Sequence, residues 1–301
     1  MQAGSDRAGA SADGAGGLLD RVASGAVRVI VVSRPRFWLY LAGPVLVGVV
    51  HGAPTLDAAF DPVPVALFAY FLFPANVLLY GVNDVFDAEI DAFNPKKAGD
   101  REARYRGDLL VPGATVVACL LGVAVAAVAP LATWPALGGF FALAVAYSAP
   151  PARFKTAPVL DSLSNGLYVL PGVAGYVAVA GHQPPLLAVA GGWLWTMGMH
   201  TFSAIPDVEP DRRAGITTTA TWLGRRRSYA YCAAVWLAAA ALFGALDPRA
   251  GVLLLVYPAL VGAIRVGGVA VDRAYWWFPA VNTVVGALFT VAGLWELTHA
   301  A

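Results

Sequence analysis

Asn83-Asp84-Val85-Phe86-Asp87-Ala88-Glu89-Ile90-Asp91 closes an apolar run that begins near residue 62. A carboxylate near bilayer depth costs at least a few kcal/mol, about 2.5 or more, unless a cation or a water-filled cavity compensates it. Acids at the end of such a run therefore need a reason. Read as a helix, the stretch sets Asn83, Asp87 and Asp91 at four-residue steps on one face, with Asp84 at its border. Far downstream, Asp207-Val208-Glu209-Pro210-Asp211 repeats the spacing between Asp207 and Asp211. Either cluster alone reads as a solvated helix end. Two acidic faces turned to one cavity would hold Mg²⁺ and a ligand that arrives with Mg²⁺.

The composition fits this picture. The 301 residues are 58% hydrophobic and only 13% charged, with a mean hydropathy of +0.65. A soluble domain is nearer one quarter charged. The chain reads as an all-α, polytopic membrane protein. Its net charge of +1 gives no reason to expect nucleic-acid binding. Cys119 and Cys232 lie in apolar runs and read as small core residues, neither a disulfide nor a metal site. Residues 1–30 read as a flexible N-terminal segment, rich in Ala, Gly, Ser and Asp at its start. Residues 31–301 read as a single membrane domain. The first apolar run is interrupted at Ser33-Arg34-Pro35-Arg36, so no secretory signal is expected.

Nine helices are expected, at about 37–53, 62–82, 109–128, 131–148, 158–181, 186–206, 228–246, 250–270 and 277–297, each near the ~20 residues that cross the hydrocarbon. With the N-terminus in the cytoplasm, every Lys and Arg except Arg249 falls on the cytoplasmic side. That asymmetry supports the orientation and puts both acidic motifs on the cytoplasmic face, with the C-terminus outside. The motifs lie four helices apart, which suggests two parallel halves with one helix added.

Mg²⁺ takes oxygen ligands, keeps several waters, and uses one or two carboxylates together with phosphate oxygens. Two acidic clusters suit a diphosphate. Lys96, Lys97 and Arg212, just beyond the clusters, would neutralise the remaining phosphate charge. Between the motifs lies Tyr147-Ser148-Ala149-Pro150-Pro151-Ala152-Arg153-Phe154-Lys155. The double proline is a stop signal. With Tyr147, Arg153 and Lys155 it could also be a lid bringing two cations and a phenol to the same diphosphate.

These motifs resemble those of the UbiA superfamily of intramembrane prenyltransferases. Asn83, Asp87 and Asp91, with Asp84, match its NDxxDxxxD form, and Asp207 and Asp211 match its second DxxxD. The run Asp211–Ala220, Ser33-Arg34-Pro35 and Asn94-Pro95-Lys96-Lys97 also fit, and the resemblance covers almost all of the chain from about residue 30. It implies nine transmembrane helices around a central cavity. It also implies Mg²⁺-diphosphate held by Asn83, Asp84, Asp87, Asp91, Asp207 and Asp211, and phosphate contacts from Lys96, Lys97, Arg153 and Lys155. Tyr147 would sit near the leaving group or the allylic cation. Such a cation needs a dry pocket, and aromatic faces stabilise it. Candidates are Tyr80, Phe86, Phe141, Trp193, Trp195, Phe202, Trp276 and Trp277.

Gly198–Asp211 is most similar to the lycopene elongase branch. The resemblance implies transfer of a C5 dimethylallyl group from dimethylallyl diphosphate to the end of lycopene, giving C45 or C50 carotenoids, with or without addition of water. The lipophilic acceptor would enter from the membrane lipid. His200, two helical turns before Asp207, is a candidate proton acceptor; the other reading is a histidine hydrogen-bonded between helices. Two alternatives stand beside this one. An aromatic acceptor, such as a quinone precursor, would need a polar group in the cavity to orient it. A cation transporter would usually place its carboxylates at mid-depth, and both clusters lie at one face.

Overall fold

The computed structural model describes residues 22–91 and 107–299, without the side chains of 88–91. Among these residues every regular element is a helix. Each of the nine expected stretches is helical, but the count of spans differs. Seven helices are long and apolar enough to cross a membrane, and the bent pair Val22–Val32 and Pro35–Gly52 makes an eighth. Leu186–Ala204 has 19 residues but falls outside that count. Thr196, His200, Thr201 and Ser203 dilute its hydropathy, which itself marks it as a helix with something polar to face. The flexible segment expected over 1–30 lies mostly outside the described residues. From Val22 onward the chain is helical, and Arg28 bonds to Asp108.

The span that carries the first motif is broken by its own sequence. Leu56–Asp87 counts as one crossing, yet Pro62–Leu72 and Pro74–Asp91 are separate helices. Pro74 lacks an N–H and crowds the preceding turn, so helical hydrogen bonding fails there. Asn76 repairs the loss: its Nδ2 donates to the Phe71 and Leu72 carbonyls at 3.0 and 3.1 Å. In hydrocarbon, freed carbonyls must find such a partner. The helix that restarts at Pro74 carries Asn83, Asp84 and Asp87.

The expected 158–181 helix is also broken. A short turn at Leu160–Leu163 passes into a 3₁₀ segment, Ser164–Tyr168, and then into Leu170–Ala180. Asp161, Ser162, Ser164 and Asn165 are all buried here. Irregular backbone at this depth survives only when protein surrounds it. The Trp193 indole supplies part of that cover, donating to the Leu163 carbonyl at 2.8 Å.

Two apolar cores result. One gathers residues from Leu41 to Ala174, the other from Met199 to Val285. The division falls after the fifth expected helix, because Leu170–Ala180 packs on Trp38–Gly52. These two helices touch backbone to backbone: a Cβ on Gly48 would lie 2.0 Å from the Gly172 carbonyl oxygen. Close approach through small residues is how helices associate where lipid is as apolar as leucine. The last helix, Val271–His299, closes the bundle on the first. Arg36 stacks on Trp276 at 3.8 Å and donates to its carbonyl, and Gly293 meets Val50 and His51. Cys119 and Cys232 are free thiols, half-buried and buried.

Gly48→Val should destabilise the protein by roughly 1–3 kcal/mol or more, the usual cost of overpacking. A lowered midpoint in detergent thermal unfolding would register it, and an unchanged midpoint would contradict the packing described.

Candidate active site

Asp87 is the centre of the polar site. Its side chain is 12% exposed and takes two cations from the segment after Ser148. Lys155 Nζ forms a short ion pair with Asp87 Oδ1, and Arg153 approaches the same oxygen at 3.3 Å. Lys155 Nζ also donates to Asn83 Oδ1 and to Ser148 Oγ, each at 3.2 Å, and Ser148 Oγ lies 3.1 Å from Asn83 Oδ1. One ammonium thus draws the amide oxygen of Asn83 and the carboxylate of Asp87 together, one helical turn apart. A buried carboxylate demands this compensation.

The local sequence explains the lid. Trp134–Ser148 ends before Ala149-Pro150-Pro151, where proline cannot continue a helix. The chain turns through Arg153, whose φ is +40°, into the 3₁₀ turn Phe154–Thr156. That turn presents both cations to Asp87. The other side of the lid reaches the second motif. Thr217 Oγ1 donates to the Thr156 carbonyl at 3.0 Å, and Val159 N–H donates to Thr219 Oγ1 at 2.8 Å.

Asp84, 7% exposed, has a cation that the sequence reading had placed only in a motif. Arg34 bonds its Oδ1 at 3.1 Å and lies over the Tyr80 ring at 4.5 Å. Arg34 too holds a left-handed backbone, with φ +51°.

The second motif is half-helical. Asp207 ends a 3₁₀ turn, Ile205–Asp207, and Asp211 lies in Val208–Arg213; both are half-buried. After it, Thr218 caps the helix Thr219–Leu246 through a capping box with Thr221. Gly224, at φ +73°, breaks that helix one turn later, a backbone that suits glycine. Arg212 is engaged locally: its guanidinium donates to the Thr221 carbonyl at 2.7 Å and pairs with Glu209 at 3.5 Å. Lys96 and Lys97 lie outside the described residues, as does the side chain of Asp91.

The aromatic candidates separate clearly. Tyr80 is at the site under Arg34. Phe86, Trp276 and Trp277 are exposed, Phe202 is sealed in the second core, and Trp195 packs on Tyr257 there. Phe141 packs against Tyr70 in the first core. Sequence reasoning missed Tyr40 and Tyr168, whose ring centroids are 6.2 Å apart. It also missed Asp161, which meets His200 Nε2 at 3.3 Å and the Thr219 N–H at 2.9 Å. The only signal was a polar run inside an apolar span. Tyr147 lies beside both polar groups: its ring is edge-on to His200, with centroids 6.0 Å apart, and its chain neighbour Ser148 bonds to Asn83 and Lys155.

Among the described residues no three His, Cys, Asp or Glu side chains converge as a metal cage. The donor set of Asn83, Asp84 and Asp87 is all oxygen. It suits a hard cation that keeps waters and shares phosphate oxygens, not one that needs a full protein cage. The cations beside it suit an anion.

Residues 41–278 match the UbiA prenyltransferase family. The chain is 64% identical over 284 residues to the lycopene elongase/hydratase of Haloferax volcanii, covering 94% of this chain and 93% of that one. It is 62% identical to the lycopene elongase/hydratase of Halobacterium salinarum, covering 90% and 98%. A UbiA homolog from Archaeoglobus fulgidus, solved bound to GPP and Mg²⁺, superposes with a TM-score of 0.67 at 20% identity over 90% of this chain and 99% of that one. That likeness is one of fold.

If the lid cations meet an anion, Lys155→Met should weaken Mg²⁺-dependent binding of inorganic diphosphate. Loss of one hydrogen bond to a charged group, ~1.5–3 kcal/mol, corresponds to roughly 10- to 100-fold in Kd. Titration calorimetry of the folded variant tests it, and an unchanged Kd would remove Lys155 from the site.

Proposed function

The chain belongs to the UbiA prenyltransferase family, and from that premise we propose that it transfers a C5 dimethylallyl group from dimethylallyl diphosphate to an end of lycopene. It is an integral membrane enzyme. The observation that carries the proposal is the Asp87 clamp: a buried carboxylate and the Asn83 amide oxygen gathered under two lid cations, at the end of an apolar span. Identity of more than three fifths with two lycopene elongase/hydratases, over nearly the whole of each chain, supports lycopene as the acceptor.

Asn83, Asp84, Asp87 and Asp91, together with Asp207 and Asp211, are the proposed ligands of Mg²⁺. The ion would neutralise charge on the departing diphosphate as a Lewis acid. The remaining work falls to the chain's own groups. Lys155 and Arg153 bind the diphosphate and stabilise negative charge as the allylic C–O bond breaks. Lys96 and Lys97 are proposed to add charge from the segment after the first motif. Arg212 would join them only by leaving the Thr221 carbonyl. Tyr147 and Tyr80 present aromatic faces near the clamp, where a carbocation gains from a π surface and from the exclusion of water.

The acceptor offers a terminal carbon–carbon double bond and nothing to ionise. Its π electrons form the new C–C bond, leaving a tertiary cation on the acceptor. An acceptor of this length and polarity reaches the site from the lipid. The clustering of Lys and Arg supports a cytoplasmic location for the diphosphate end and the N-terminus. The aromatic-acceptor and transporter readings have no comparable support.

Product mass in a host that makes lycopene and dimethylallyl diphosphate tests the proposal. Expression should yield carotenoids heavier by one or two C5 units, with an added water where hydration follows. Asp87→Ala, or removal of divalent cations from the purified enzyme, should abolish them. Untouched lycopene in the presence of folded, Mg²⁺-supplied enzyme would overturn the acceptor.

A further inference from the structure

Asp161 takes no part in the diphosphate clamp, yet its side chain is sealed from solvent, at 0% exposure. Its carboxylate is held from two sides. The Thr219 N–H donates at 2.9 Å and the Thr219 hydroxyl forms a short bond to the other oxygen. From the Leu186–Ala204 helix, His200 Nε2 meets Asp161 Oδ2 at 3.3 Å. A carboxylate accepts, so the hydrogen-bond network assigns the proton of a neutral His200 to Nε2 and leaves a lone pair on Nδ1. No hydrogen bond to Nδ1 occurs among the described residues. The imidazole stands edge-on to Tyr147, the chain neighbour of Ser148, whose hydroxyl bonds to Asn83 and Lys155 of the clamp. The pair therefore lies beside the place where the diphosphate is proposed to leave.

Such an arrangement answers a need of the reaction. On the prenyl-transfer reading, on which this inference rests, the electrons of the broken C–O bond leave with the diphosphate. Formation of the C–C bond leaves a tertiary cation. One proton must then depart: from a carbon next to the cation, giving an alkene, or from a water whose oxygen has bonded to the cation, giving a tertiary alcohol. We propose that His200 Nδ1 takes that proton, and that Asp161 is a positioning residue that fixes the Nε2–H tautomer and steadies the imidazolium that forms. Thr219, at the start of its helix, holds Asp161 in turn. An orienting carboxylate behind a histidine base is a general device for setting tautomer and ring direction.

The alternative is an interhelical tie with no part in the chemistry, and the two differ in what the products show. The full-length protein, reconstituted with lycopene, dimethylallyl diphosphate and Mg²⁺, is assayed for lycopene consumption and for the ratio of alkene to alcohol. His200→Gln leaves the bonds between Asp161 and Thr219 in place; Asp161→Asn keeps the shape of the side chain. Both should lower kcat by on the order of 10²-fold, leave KM for dimethylallyl diphosphate unchanged, and shift the alkene-to-alcohol ratio. Imidazole in solution should restore turnover to His200→Ala. Tyr231→Phe, which removes a neighbouring hydrogen bond to Ser162, should keep the wild-type ratio. The inference is overturned if the ratio stays at the wild-type value in His200→Gln, or if the loss follows a lowered melting temperature with no rescue by imidazole. Absence of any C5 adduct from the wild type would overturn the lycopene reading itself, and this step with it.

Discussion

A carboxylate cannot be left uncompensated inside an apolar bundle, and the architecture around Asp87 follows from that requirement. Removing one partner of a buried ion pair costs about 3–5 kcal/mol, because the other charge stays buried. Here the partners arrive from a segment 66 and 68 positions further along the chain. The helix that bears Asp87 starts at Pro74. The double proline ends the helix before the lid, and the lid's far side is bonded to Thr217 and Thr219. Three regions far apart in sequence thus become one hydrogen-bonded unit.

That unit stores strain. Among the described residues, the only non-glycine positions with positive φ are Arg34, Arg153 and Val159, at +51°, +40° and +70°. Arg34 pairs with Asp84, Arg153 pairs with Asp87, and Val159 is tied to Thr219 beside Asp161. Left-handed backbone at ordinary residues costs on the order of 1–3 kcal/mol each and persists where surrounding contacts over-determine it. For a β-branched residue such as Val159 it is a marked departure. All three flank the polar site, and these ion pairs and this hydrogen bond over-determine the backbone there.

How much of this could be read in advance depended on range. The four-residue spacing of Asn83 and Asp87 survives any moderate bend, so the motif was legible from periodicity. Arg153 and Lys155 were legible as cations stranded just past a helix-stopping double proline. Asp161 was not, because a lone acid in a polar run has no periodicity, and its partners lie 39 and 58 residues downstream. Arg34 was visible only as part of a resemblance, since its pairing with Asp84 crosses between helices. The span count shows the converse problem. Of the polar residues that take Leu186–Ala204 out of a count by length and hydropathy, His200 and Thr201 bond to Asp161 and Ser162, while Thr196 and Ser203 bond within their own helix. Arg212 shows that proximity in sequence to an acidic motif does not decide where a guanidinium points.

The broken segment around Asp161 also bears on how the chain enters its membrane. A ribosome delivers Asp161 well before His200 and Thr219 exist. Until those residues follow, the Asp161 carboxylate lacks the bonds that compensate it, and a bare carboxylate in hydrocarbon is costly. Its compensation is complete only once the start of the helix Thr219–Leu246 has been made. The polar centre closes only when the second half of the bundle has arrived to receive it.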